Sequence, residues 1–429
     1  MSLHQGAAGE DRVDVAVVGG GLAGLVAAVT AAETGKRVVL LEAHGLGGRA
    51  STDAQHGFRF NRGPRALYSG HGRAVLERLG MRPTGGPPAL GGAMAVRRGE
   101  LHRLPVGAGA LVTTSLLGVR AKASFGAFYA RLGKADLGEL AGITQSAWLD
   151  ELDLHPDARE LAEALGRLSS YAHGPSLVSA DVMASQMSIK GGVTYLDQGW
   201  SQIVEFLRDV AIRRGVELRD AQVSSIEAGA SSVKVSGSVK VSGSEPGFAV
   251  VAACVVLAAG TPSASASLLP AMPDAWQRLA PEITAACLDL GLNRPAAHPF
   301  VHGIDTPVYL STHCPPADLA PEGGAVVHVM RYLLPGENPV SKDMRAELTA
   351  HAAMAGITED GVAASRHLRR MVVAGAFPTP ESGGIAGRPG IASTGTDRVL
   401  VAGDWIGPDG FLADAAIASG DAAGRAAVA

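Results

Sequence analysis

Residues 13–42 read VDVAVVGGGLAGLVAAVTAAETGKRVVLLE, and this pattern decides the fold. Residues 13–18 form a short run that is apolar except for Asp14, as expected of a buried parallel strand. An alanine-rich helix follows to about Thr34, where Gly35 stops it. Residues 37–42, RVVLLE, are a second buried strand, so the stretch is a βαβ unit. Gly19, Gly21 and Gly24 spell G-x-G-x-x-G between the first strand and the helix. Gly19 permits the tight turn, Gly21 lets the backbone approach a pyrophosphate, and Gly24 lets helix and strand pack closely. The helix N-terminus, with Leu22 and Ala23 in its first turn, offers N–H groups and partial positive charge to phosphates. Glu42 ends the second strand eighteen positions after Gly24, where a carboxylate can accept hydrogen bonds from both ribose hydroxyls of an adenosine. The motif specifies a dinucleotide without choosing between NAD and FAD.

The whole chain has 429 residues, enough for two intertwined domains, and 47% of them are hydrophobic. Its 37 basic and 41 acidic residues are close to balance, which argues against nucleic acid as a partner. Cys254, Cys287 and Cys314 are few, widely spaced and without a C-x-x-C. A disulfide framework or thiolate metal site is not expected, and the histidines show no metal-ligand spacing, so no metal is expected either. The composition suits a reducing cytoplasm. Residues 1–12 show no secretory signal, and no apolar run reaches the roughly 20 residues of a spanning helix.

Further along, residues 81–189 read as loop and then mostly helix, and residues 201–215, SQIVEFLRDVAIRRG, as an amphipathic helix. VKVSGS occurs twice, at 233–238 and 239–244, and its alternation fits a lengthened surface hairpin. Residues 248–259 return to buried-strand character, and residues 397–404, DRVLVAGD, form a strand before a small-residue helix near Leu412. The apolar stretch 104–117, LPVGAGALVTTSLL, is expected to line a hydrophobic tunnel. The alternative is a peripheral membrane contact, against which the thin basic flank of Arg120 and Lys122 counts.

Two features point to FAD. AHGLGGRAST follows Glu42, and VLVAGDW precedes the last helix. The combination resembles the FAD-dependent amine oxidase superfamily, including protoporphyrinogen oxidase and phytoene-desaturase-like flavoproteins. The resemblance implies an α/β fold: a Rossmann-like FAD-binding domain of the GR2 type with an inserted mixed α+β substrate-binding domain. It implies FAD segments at 10–80, 191–262 and 371–429, and substrate-binding segments at 81–190 and 263–370. Beside Glu42 and Ala43, Gly47 and Gly48 lead to Arg49, which in the family helps hold the diphosphate. Gly403 and Asp404 would set a carboxylate against the ribityl chain, and Gly410, Phe411 and Leu412 would lead a helix N-terminus to the isoalloxazine. Val223 matches a valine beside the adenine, and Ala259 and Gly260 match a loop near the dinucleotide. Residues 57–68, GFRFNRGPRALY, match a stretch along the flavin, carrying Gly63, Pro64, Arg65 and Ala66.

Departures are informative. The C-terminal motif has no cysteine, so any FAD is expected to be non-covalent. Trp405 and Phe411 are the aromatics of that region, and the aromatic pair that cages an amine in monoamine oxidases is not evident. Arg65 stands where relatives would carry His. It is the catalytic candidate, since a cation there would favour a reduced, anionic flavin. Tyr332 with His328, and Lys190, are further candidates. The expected reaction is removal of a hydride from a C–N or C–C bond of a small apolar or amine substrate, with electrons passing to O2 or another acceptor. A redox-neutral isomerase or desaturase acting on a polyene or isoprenoid is the alternative. A prenyl-binding module without flavin would show degenerate phosphate glycines, and here Gly19, Gly21 and Gly24 are intact.

Overall fold

The computed structural model describes residues 11–239 and 247–429. Strand β1 (Asp11–Val18), helix α1 (Leu22–Ala32) and strand β2 (Val38–Glu42) form the expected βαβ unit. β1 lies between two parallel neighbours, β2 and strand Gly247–Leu257, which is why residues 15–17 are fully buried. Strand Glu217–Asp220 extends the sheet beyond β2. On the other side, Gly247–Leu257 pairs antiparallel with Val233–Ser238 near its start and parallel with Val399–Val401 at its end. Strand Gln222–Ala228 closes that edge. The first VKVSGS copy is thus one arm of a hairpin, while residues 240–244 of the second lie outside the described residues.

Every residue of α1 is buried, as its apolar, small-residue sequence requires. Helix Ala413–Ala426 packs closely on it. Gly420 and Gly424 face the Ala23 and Ala27 backbone so closely that a Cβ at either position would overlap a carbonyl oxygen.

A second seven-stranded sheet runs Val362–Ala374, Ile283–Leu292, Ala325–Tyr332, Val308–Cys314, Phe300–Gly303, Met94–Arg97, Glu100–Arg103. Alternation sorts its faces. Leu288, Leu310 and Val329 pack under helix Ser341–Met354, in a core with Met344 and Leu348. Cys287, Tyr309, Met330 and Tyr332 share the opposite core with Phe125, Phe128 and Leu161 from helices Val119–Leu132 and Pro156–Ser170.

Two expectations are corrected. Residues 94–103, read as loop, form a hairpin on the edge of the second sheet. The stretch 104–117 lines neither cavity described below. Leu104, Leu116 and Leu117 anchor it in a core, while Val106 and Val112 face outward. Hydrophobicity alone did not distinguish these two sets. Among the described residues, no helix is long and apolar enough to cross a membrane.

Gly420→Leu should wedge α1 and the last helix apart and cost about 2–3 kcal/mol, measured by denaturant unfolding.

Candidate functional site

At the C-terminal ends of β1 and β2 lies a cavity of about 450 Å³, the usual position for a ligand in an open α/β sheet. Gly19, Gly21, Leu22 and Ala23 form one wall of it. Gly19 has φ 105° and lies tight on the Ala258 carbonyl, and Gly24 packs against the Gly19 carbonyl without lining the cavity. Gly21 differs: a Cβ there would meet nothing within 4 Å. Its glycine is required neither by packing nor by its φ of −72°, which leaves room for a ligand as the reason. Glu42 and Ala43 line the next wall. The Glu42 carboxylate accepts hydrogen bonds from Gly20 N (2.6 Å) and His44 N (2.7 Å), leaving lone pairs on both oxygens. Val223, Ala259 and Gly260 complete this end.

At the other end are Gly48, Arg49, Arg65, Gly403, Asp404 and Leu412. Arg49 and Asp404, expected to serve separate parts of a ligand, pair with each other. Nη1 lies 2.5 Å from Oδ2 and Nη2 lies 3.0 Å from Oδ1. Burial works against the Arg49 cation, but Asp404 outweighs it and raises the pKa. Gly403 is held through both N and O by the Ser419 hydroxyl. The last helix starts at this wall, with Leu412 as its N-cap in an unusual backbone conformation, φ 55° and ψ −128°.

A second, smaller cavity shares Arg65, Val373, Leu412 and Ala413 with the first. Arg62, Pro64, Ala66, Tyr68, Tyr171, Trp200 and Met371 complete it. Tyr171 ends its helix with φ 58°, an uncommon conformation for a bulky residue. Trp200, Met371, Val373 and Tyr171 were missed by sequence reading, and only Tyr171, at a helix stop without glycine, carried any local hint.

Several candidates lie elsewhere. Gly63 packs on Met371 and Cys287, the Gly410 carbonyl accepts from Arg388, and Phe411 is buried in a core. Lys190 is exposed and lines neither cavity. Tyr332 also lines neither: it is fully buried, stacked on Tyr309 at 5.5 Å and next to Tyr171 at 6.2 Å. Its strand is central in the second sheet, so this side chain enters the core.

His328 instead joins a buried network. Its Nδ1 lies 2.6 Å from Asp289 Oδ1, and Arg366 reaches Asp289 Oδ2 through Nε at 2.9 Å and Nη2 at 2.6 Å. Arg366 also bonds the Asn61 carbonyl and Asp53, tying the strand before Arg65 to the second sheet. Cys287, Asp289 and His328 place their possible ligand atoms within 4.8 Å of one another. The Arg366 cation already occupies the carboxylate, and burial with the nearby Asp289 pushes the Cys287 thiol pKa up, away from the thiolate a metal requires.

Residues 17–79 match the family described as NAD(P)-binding Rossmann-like domain. No protein of curated function matches the chain. Among solved structures, cyclohexylamine oxidase from Brevibacterium oxydans is 17% identical, with TM-score 0.71 over 97% of this chain and 98% of that one. Putrescine oxidase, in a wild-type structure bound to putrescine, is 15% identical, with TM-score 0.72 over 97% and 99%. A fatty acid isomerase from P. acnes is 13% identical, with TM-score 0.67 over 96% and 98%. These likenesses establish the fold: an α/β protein with a Rossmann-like dinucleotide-binding sheet and a second, mixed sheet.

Burial pushes the Asp289 carboxyl up, but His328 and Arg366 more than offset it, so its pKa is lowered. A depressed folded pKa gives stability that is intact above the unfolded value of about 3.9 and lost as pH falls through the folded value. Asp289→Asn should therefore cost about 3–5 kcal/mol at neutral pH. It should also make stability fall less steeply below about pH 4 than in the wild type, as read by urea unfolding across a pH series.

Proposed function

We propose that the protein binds FAD non-covalently in the larger cavity and is a flavin-dependent oxidoreductase. One observation carries this reading: a single cavity gathers the G-x-G-x-x-G turn, the Glu42 carboxylate, the Arg49–Asp404 pair and the start of a second helix. Two helix N-termini, those of α1 and of helix Ala413–Ala426, open on it. Each favours negative charge, suiting a diphosphate at one end and an electron-rich ring at the other. Open space at Gly21 fits the close approach of a pyrophosphate, and the absence of cysteine from residues 403–412 fits a non-covalent ligand.

Bound flavin would supply the capacity to accept a hydride. The chain's own part is binding, orientation and exclusion of water. Glu42 would receive the adenosine ribose, while the paired Asp404 is already neutralised and would present a polar rather than a bare anionic surface. Arg65, Val373 and Leu412 line both cavities, so the smaller one is the natural place for a substrate. Tyr68, Tyr171, Trp200 and Met371 make it largely apolar. In this reading the first sheet belongs to a FAD domain and the second to a substrate domain. Hydride removal from a C–N or C–C bond, with O2 or another acceptor taking the electrons, is the leading chemistry. The likeness to a fatty acid isomerase favours redox-neutral work as the second reading.

The purified protein should be yellow and release FAD on denaturation; a colourless protein that cannot be reconstituted would refute the proposal. Gly21→Val should fold with nearly unchanged thermal stability, because a Cβ there lies more than 4 Å from any protein atom, yet retain no flavin. Anaerobic mixing with substrate should bleach the flavin band, whereas turnover without net bleaching would select the isomerase reading.

A further inference from the structure

We propose that the substrate of this site carries a carboxylate, received by Arg65 in the smaller cavity, and not an ammonium group. The inference rests on the reading of the larger cavity as the flavin site and names the kind of molecule that sits beside it.

Among the arginines near the site that are not fully exposed, Arg65 stands apart; Arg62, which donates from Nε to the Ser51 hydroxyl at 2.9 Å, is exposed. Arg49 is matched to Asp404, and Arg366 to Asp289 and Asp53. Arg388 donates to the carbonyls of Asp404, Asp409 and Gly410, and Arg167 to those of Gly303, Ile304 and Thr306. Arg65 makes one hydrogen bond, from Nε to the Arg62 carbonyl at 3.1 Å. Among the described residues no carboxylate pairs with it, and the two amino groups of its guanidinium fork make no hydrogen bond. Burial, and then the neighbouring Arg49 cation, push its pKa down to about 10. It therefore remains charged at neutral pH, as a cation short of a counter-charge.

The surroundings define that counter-charge. No Asp or Glu lines the smaller cavity, whereas two arginines, Arg62 and Arg65, do. A substrate ammonium would meet two like charges and no acceptor anion. The tyrosine hydroxyls do not compensate: Tyr68 donates to the Ser169 carbonyl at 3.2 Å and Tyr171 to the Pro64 carbonyl at 3.0 Å. Their rings, with Trp200, Met371 and Val373, leave mostly apolar surface for the rest of the ligand. A planar guanidinium with its fork free matches a carboxylate by two parallel hydrogen bonds. The smaller cavity, of about 30 Å³, thus fits the anionic head of a ligand with the apolar carbons next to it.

Isothermal titration calorimetry on the protein as purified, at neutral pH, tests this with phenylbutyrate, phenylbutylamine and phenylbutyramide, which share one body and differ in head group. Phenylbutyrate should bind at least about tenfold tighter than phenylbutylamine. Arg65→Gln should weaken phenylbutyrate about tenfold or more and leave phenylbutyramide within about twofold; Arg65→Lys should fall between. An amine that binds as tightly as the acid, an Arg65→Gln variant with unchanged acid affinity, or no heat with any of the three would overturn the proposal. The wild-type comparison stands even if a variant does not fold. Flavin content is measured on the same samples. Loss of flavin from Arg65→Gln alone would reassign the arginine to the cofactor and overturn the proposal. A flavin-free protein that still prefers the acid through Arg65 would remove the flavin reading and leave the anion site in place.

Discussion

Arg49 and Asp404 are separated by 355 positions and meet in the wall of the larger cavity with two parallel hydrogen bonds. Asp404 is withdrawn from water, with a side-chain exposure of 3%, while Arg49 keeps 31%, so the buried carboxylate depends on its partner. Their union fixes the turn after β2 against the loop that follows strand Val399–Val401. Arg49 also reaches the Val373 carbonyl at 3.3 Å, which brings the second sheet to the same point. The pair therefore works first as a clasp, bringing together pieces of chain that no local preference would join.

A second buried charge cluster does the same for the smaller cavity. Asp289 holds Arg366 and His328, and Arg366 grips the Asn61 carbonyl. The Asn61 side chain in turn accepts from Trp200 N at 2.9 Å and from the Thr52 hydroxyl at 2.8 Å. Residues 61–66, which carry Pro64 and Arg65, are thereby held between two sheets. A cation presented from such a fixed stretch loses little freedom on meeting an anion, which favours selectivity by head group.

The legible parts of the sequence were those whose physics is local. Gly19 and Gly24 are demanded by one turn and one close helix packing, and the run into Glu42 by one strand, so the βαβ unit could be read directly. Arg49 and Asp404 could each be singled out, but nothing local could show that they face each other. Tyr332 was misplaced because strand alternation says which face a residue takes and not what covers that face. Tyr309 and Tyr171 cover it, leaving Tyr171 and not Tyr332 at the cavity. Val106 and Val112 looked like tunnel lining for a similar reason: their neighbours Leu104 and Leu116 are buried, and composition does not record that the short helix Ala108–Thr113 between them has no buried residue.

Strand Gly247–Leu257 gives one edge to two partners, Val233–Ser238 at its start and Val399–Val401 at its end. The first partner is made just before it on the ribosome and the second well over a hundred residues later. During synthesis the hairpin can close at once, while the end of the strand nearest the cavity keeps an open edge. α1 meanwhile lacks the helix bearing Gly420 and Gly424. The nascent chain therefore displays a half-built cavity, with apolar surface uncovered and the clasp missing one jaw, until its last elements emerge. Such an intermediate is exposed to mispairing, and a ligand that bridges both halves would act on it as a late folding partner.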